Sequence, residues 1–406
     1  MPIIADYRQL AGPWARPAKS LAWNLYGAGL ENLKLEEMAV PEPKDDELLV
    51  RIDAVGICAS DWKMISQGEA HARMRGCDLK RHPTTPGHEV SLTCLRTGKK
   101  LAGKYKAGQR FSVQAEIYIK GENIAYGYKM RGADQQYQCI GPDVYAQGYL
   151  LPVEPAMGYA QVALAEPWAC VYHAYHNHRA TQSVKPGGTT WYVGAGPLGL
   201  MHIEKGIRDG AKRVVVSEMK AERLDKVRSS LGALAKEKGV DLVCVDLSTT
   251  PIDTVLAKKS VDDILVLAPA AKAAEAALEY LGKNAYFNTF AGFESRDKAF
   301  IQLNLNDMHY GGWTMIATSG SPIETLRRAL DDAAAGKIDP NNSVAAVGGI
   351  DAVSAAVDHT HKGTYPGRIV IYPQIRMDLA PVEQLTADGR WSNAAEEKLL
   401  AEKLGR

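Results

Sequence analysis

The chain has 406 residues, of which 46% are hydrophobic and 23% charged, with 48 basic residues against 47 acidic ones. A formal net charge of +1 gives no global field to gather nucleic acid or an anionic membrane surface, so neither is expected as a partner. The length predicts two domains, and no apolar run approaches the roughly 18 residues of a membrane-spanning helix.

The opening "MPIIADYRQLAGPWARP" lacks a basic region followed by a long apolar stretch, so no leader is expected there. The cysteines at 58, 77, 94, 139, 170 and 244 are scattered and never form C-x-x-C. That spacing fits a reducing compartment, and a cytoplasmic protein is the expectation. The first third reads as β-rich. "ELLVRIDAVGI" (47–57), "GHEVSLTCL" and "GQRFSVQAEI" have strand composition, with Gly-containing turns between them. Residues 111–150 carry many Tyr and Gly without periodicity and read as an irregular lobe. "YAQVALAEPWACVYHAYHNH", from 159, predicts a helix with Pro167 in its first turn.

The rhythm then changes. "TTWYVGAGPLGLMHIEKGIRDG" reads as strand, Gly-rich turn and helix, and "KRVVVSE" as the next strand. "DLVCVD", "VDDILVLAP" and "NAYFNTFAG" follow, separated by helix-like segments. Alternating strands and helices predict a parallel, doubly wound α/β sheet. A helix, "PIETLRRALDDAAAGKI", then leads to "GGIDAVSAAVDHTHKG" and "GRIVIYP". Residues 377–406 are charged and predict a surface helix or tail.

Gly194, Gly196 and Gly199 form G-x-G-x-x-G, with Pro197 and Leu198 between the last two. The pattern follows a strand and opens a helix, as a dinucleotide-binding turn requires. The helix N-terminus offers N–H groups and partial positive charge to a pyrophosphate. Nineteen residues beyond Gly199 (218 − 199), Glu218 ends the next strand, where a carboxylate can accept from the adenosine ribose hydroxyls. The same carboxylate repels a 2′-phosphate and favours NAD over NADP. Arg223, in the following helix, is a possible compensator.

"ICASDWK" (57–63), "PGHEV" thirty residues after its cysteine (88 − 58), and "LAEPWAC" (164–170) supply Cys58, His88 and Glu166. Thiolate, imidazole and carboxylate are the donors zinc takes in a catalytic site. Glu89 offers a second carboxylate, and Asp61 could orient the imidazole from behind. Each residue alone has an ordinary packing or surface explanation, and the ligands are too far apart in sequence for spacing to decide.

Together with the glycine turn, "GICASD", "GHE" and "EP" resemble the medium-chain, zinc-dependent alcohol and polyol dehydrogenases. The match extends over almost the whole chain. Within that superfamily "CASDWK", "FNTFAG", "NDMHYGG" and "ATSG" are most similar to the L-sorbose-1-phosphate reductases.

The resemblance implies a GroES-like β-rich catalytic domain (1–176 and 322–376), a Rossmann domain (177–321) and a C-terminal tail (377–406). It implies zinc ligands at Cys58 and His88, with Glu89 and Glu166 as alternative carboxylate ligands, in a cleft between the domains. Ser60 would relay the substrate proton. Many relatives carry four cysteines in the lobe where this chain has only Cys139. One catalytic zinc and no structural zinc are therefore expected, with the lobe held by packing of "YIKGENIAYGYKM".

Lys63 stands where relatives have a relay histidine, and could donate to a substrate hydroxyl or phosphate. The insertion "HARMRGCDLKRHP" contributes Arg73, Arg75 and Arg81 as candidate readers of a substrate phosphate. The expected reaction is hydride transfer between a nicotinamide cofactor and a secondary alcohol of a polyol, sugar or sugar phosphate. A homodimer or homotetramer is expected. The alternatives are a zinc-free quinone- or enoyl-type reductase, which would lack the Cys and His ligands, and a non-catalytic nucleotide-binding protein on the same fold.

Overall fold

The computed structural model describes residues 7–8, 14–293 and 295–405; most of the N-terminal segment read for a leader lies outside them. No helix among the described residues is long and apolar enough to cross a membrane. The chain divides into two compact units.

The second unit runs from Trp168 to Ser321. Its sheet has six parallel strands, in the order Asp241–Asp246, Arg213–Glu218, Thr189–Val193, Val261–Val266, Leu281–Thr289 and Thr314–Ala317. The order reverses on either side of the Thr189–Val193 strand, which is where a doubly wound sheet binds its dinucleotide. The core is built from apolar residues of these strands, among them Trp191, Val215, Ile264, Val266 and Phe287. Five of the six strands fall on the segments read as strands from the sequence, and Thr314–Ala317 adds an edge strand to them.

The first unit takes the described residues up to Pro167 and those from Pro322 onward. Its main sheet runs in the order Ala380–Pro381, Val344–Gly349, Arg368–Tyr372, Leu48–Ile57, Glu89–Thr97, Arg110–Val113 and Leu150–Pro152. Every residue of Leu48–Ile57 is buried, and its two charged residues, Arg51 and Asp53, pair with each other at 2.7 Å. The lobe of 111–150 is packed around Ile117, Tyr126 and Ala133 against the strands.

Two expectations need correction. The predicted helix from 159 is two helices, Tyr159–Ala163 and Ala165–Ala174, broken at Leu164; Pro167 lies in the first turn of the second. The C-terminal segment is no free tail. Ala380 and Pro381 pair with Val347 and Ala346, and Trp391, Leu399 and Leu400 are buried. Glu396, on the helix Asn393–Leu404, accepts from the N–H groups of Tyr159 (2.6 Å) and Ala160 (2.7 Å) and from the Tyr372 hydroxyl (2.9 Å). A carboxylate from the end of the chain thus caps the helix that precedes the Glu166 segment.

Candidate active site

Three strand ends build the site. Leu48–Ile57 pairs antiparallel with Glu89–Thr97, with Gly56 opposite Glu89, and with Arg368–Tyr372, with Ile57 opposite Ile369. Cys58, His88, Glu89 and Arg368 therefore emerge at one end of the sheet, although they are far apart in sequence. Gly56 is needed there, because a Cβ would overlap the Glu89 carboxylate and stand 3.0 Å from Leu164.

Cys58 caps the helix Ala59–Gln67. Asp61, in its first turn, joins two candidate ligands. One oxygen accepts from the Cys58 backbone N–H (2.8 Å), and the other lies 2.9 Å from His88 Nδ1. That contact turns Nε2 of the ring toward the site, and Ser60 Oγ stands 3.4 Å from it. Burial lowers the affinity of His88 for a proton, but Asp61 outweighs it and the imidazole pKa ends well above its usual value. The fully buried Asp134 has no hydrogen-bond partner at either oxygen among the described residues; burial and then Asp61 push its pKa well up.

The ligand atoms of Cys58, His88 and Glu89 lie within 4.8 Å of one another. Glu89 is fully buried, and its Oε1 has no hydrogen-bond partner among the described residues. An orphaned carboxylate oxygen beside a thiol and an imidazole nitrogen is a donor set that fits zinc. Glu166 is also buried but falls outside that group of three. Burial, opposed by His88 and reinforced by Glu89, pushes its pKa up to about 7.

Arg368 went unread in the sequence. Its buried guanidinium pairs with Glu89 and interacts with Cys58. An arginine opening the apolar strand "RIVIY" was the available signal, since a charge in such a strand needs a buried partner.

The basic candidates separate. Arg75 and Arg81 are exposed, Arg81 paired with Asp78 at 3.6 Å. Arg73 is held by Glu116 and sits 5.0 Å above the Tyr128 ring. Lys63 is exposed. The pKa of His71 is lowered by burial first, then by the charges of Arg73 and Lys63.

At the glycine turn, Gly194 adopts φ 108°, a left-handed conformation, and Gly196 caps the helix Pro197–Arg208 with Pro197 at its start. Leu198 lies in the first turn of that helix, and Gly199 packs against the Gly194 carbonyl. Glu218 closes back on the turn. Oε2 accepts from Ala195 N (3.0 Å) and Arg223 Nη1 (3.2 Å), and Oε1 from Met219 N (2.8 Å). Burial raises its pKa, but these donors win and the net shift is downward.

Residues 44–173 match the alcohol dehydrogenase GroES-like domain. Uncharacterized protein YggP of Escherichia coli (strain K12) is 32% identical, over 92% of this chain and 96% of its own. The chain belongs to the medium-chain, zinc-dependent alcohol dehydrogenase superfamily. L-sorbose 1-phosphate reductase of Klebsiella pneumoniae is 28% identical, over 94% of this chain and 97% of its own. The crystal structure of 2R,3R-butanediol dehydrogenase from Bacillus subtilis shares the fold with a TM-score of 0.71 at 19% identity, covering 87% of this chain and 99% of that one. As a member of this superfamily the protein is a zinc-containing, NAD(P)-dependent dehydrogenase with a Rossmann sheet and a GroES-like unit.

Proposed function

We propose that the protein interconverts a secondary alcohol and a ketone on a sugar or polyol, with the phosphorylated sugar as the preferred form and NAD as cofactor. The observation that carries the reading is the convergence of Cys58, His88 and Glu89 beside Ser60. Those three side chains would hold the zinc, with Glu166 as the alternative carboxylate. A zinc ion bound there supplies a Lewis acid that lets a substrate alcohol ionise near neutral pH. Ser60 takes the proton, and Asp61 keeps His88 in the required tautomer. The glycine turn and its helix seat the pyrophosphate.

The phosphate preference rests on the likeness to an L-sorbose 1-phosphate reductase and on the basic residues Lys63, Arg73, Arg75 and Arg81. Arg73 is already paired with Glu116, so the exposed Arg75 and Arg81 stay candidate readers with it. The cofactor preference rests on Glu218. Arg223 is already paired with that carboxylate, so its charge is not free to receive a 2′-phosphate.

Metal analysis of protein purified without chelator should find one zinc per chain. Turnover of L-sorbose 1-phosphate should exceed that of L-sorbose, with kcat/KM higher for NADH than for NADPH. Metal-free active protein would overturn the zinc assignment. Equal turnover of the two sugars would leave a neutral polyol or sugar as substrate, and a clear NADPH preference would overturn the reading of Glu218.

A further inference from the structure

Apart from the metal ligands, the first unit holds a cavity of about 330 Å³, at the small end of ligand pockets. Its lining comes mostly from the antiparallel pair Lys19–Leu25 and Leu33–Ala39 and from the stretch 130–139. Ala22, Met38, Met130 and Tyr137 give it an apolar wall. Among the described lining residues Arg131 alone is charged, and none of them is a candidate metal ligand.

Arg131 is half-buried and has no carboxylate within 4.0 Å among the described residues. Arg51, Arg73 and Arg368 each have one. Glu36 acts on Arg131 through its charge, while its Oε2 accepts from Asn24 Nδ2 (2.7 Å) and the Tyr26 hydroxyl (2.8 Å). Burial lowers the Arg131 pKa, and the opposing effects of Tyr26 and Glu36 do not restore it. A partly desolvated cation in this state gains from an added anion.

The guanidinium is held ready. Nη2 donates to Asn24 Oδ1 at 2.9 Å and contacts Met38 Sδ at 3.8 Å, and Nη1 donates to the Pro83 carbonyl at 3.4 Å. Thr85 Oγ1 donates to the same Asn24 oxygen at 3.2 Å, and Gln138 Nε2 donates to the Arg131 carbonyl at 2.7 Å. Arg131 Nε has no described acceptor, and the Ser20 hydroxyl, on the same cavity, has no described partner. Neither atom is sealed off, so a ligand can reach both.

We propose that this cavity binds a small carboxylate with an apolar body, its charged end on Arg131 and its hydrocarbon part against Met38, Met130 and Tyr137. One cation with N–H donors to spare matches one carboxylate. A dianionic phosphate would need a second cation, which the described lining lacks. The inference is independent of the reaction proposed above, with which it shares no residue.

The probes are benzoate, hexanoate and 4-methylpentanoate, titrated calorimetrically into zinc-loaded, full-length protein. Benzamide and inorganic phosphate are the controls. At least one carboxylate should bind with a Kd of about 1 mM or tighter. Both controls should bind at least about tenfold more weakly. Arg131→Met should weaken the carboxylate about ten- to a hundredfold, as the loss of a charged hydrogen bond does. Ala39→Trp, at the exposed rim, blocks the cavity without touching the contacts of the guanidinium, and should abolish binding. Carboxylates also coordinate zinc, so Cys58→Ser decides between the two places; it should leave the Kd within about twofold.

No carboxylate binding to the wild type overturns the inference, as does binding that survives Ala39→Trp or is lost in Cys58→Ser. Phosphate binding as tight as that of the carboxylates overturns the ligand class. Crystals of the complex give a direct readout, which still decides if Arg131→Met fails to fold. The carboxylate should lie on Arg131, and a carboxylate found only at Cys58 overturns the site.

Discussion

Replacing Arg368 with methionine removes a buried positive charge while roughly keeping the side-chain length. In the wild type the guanidinium is 3% exposed and its partner Glu89 is 0% exposed. Glu89 Oε1 already lacks a partner among the described residues, so the substitution leaves the carboxylate without its neutralising donor. Breaking one side of a buried ion pair costs about 3–5 kcal/mol. Metal-free Arg368→Met protein should lose stability of that order. Zinc at about one hundred times its Kd adds about 2.7 kcal/mol to any protein that binds it only when folded. In the variant the added cation also restores a positive partner for Glu89, so zinc should stabilise it by more than it stabilises the wild type. Urea unfolding followed by tryptophan fluorescence, with chelator and with zinc, measures both quantities. A metal-free loss below about 1 kcal/mol would refute the argument that Glu89 depends on Arg368. The same loss with and without zinc would refute the argument that Glu89 faces the metal.

Three further outcomes are expected. Gly56→Ala should weaken zinc binding at least tenfold in a chelator competition, because the new methyl occupies the space of the Glu89 carboxylate; unchanged affinity would place Glu89 outside the metal site. Glu218→Gln should flatten the acid limb of stability. The folded Glu218 pKa is depressed, so its contribution is complete above an unfolded value of about 4.3 and is lost as pH falls through the folded value. Denaturation midpoints from neutral pH downward should therefore converge for wild type and variant in acid, and parallel curves would contradict this. Glu396→Ala should cost about 2–4 kcal/mol, since two backbone N–H groups and a buried tyrosine hydroxyl lose their acceptor, whereas Glu397→Ala should cost under about 0.5 kcal/mol. Urea midpoints that do not separate the two variants would show that the C-terminal helix does not brace the helix at Tyr159.

The parts legible in the sequence are those that depend on local backbone chemistry. Gly194 needs a left-handed φ, and the helix after Gly196 needs a turn that fits the sheet, so the dinucleotide motif can be read in one stretch. Asp61 is three residues from Cys58, within one helical turn, and its role behind His88 follows from that helix. Arg75 and Arg81 were singled out with Arg73 because charge is visible in a sequence and exposure is not. Tyr128 lies in a stretch without helical or strand periodicity, where no pattern indicates which tyrosine turns inward.

Strand pairing explains why the remaining site residues resist such reading. Ile57 faces Ile369 across one edge of the Leu48–Ile57 strand, and Gly56 faces Glu89 across the other. Arg368 and Glu89 therefore meet at a distance of 279 residues along the chain. A slip of one residue in either pairing would reverse the face to which each side chain points, and would turn Arg368 or Glu89 away from Cys58. The register is held by apolar side chains along the rest of the strands, among them Val50, Ile52, Leu92 and Ile371. Packing well away from the chemistry thus decides which charged groups share the buried end of the sheet. A sequence can show that Cys58, His88 and Glu89 are suitable donors, but the cation that balances them before metal arrives is specified by the pairing of a strand from the far end of the chain.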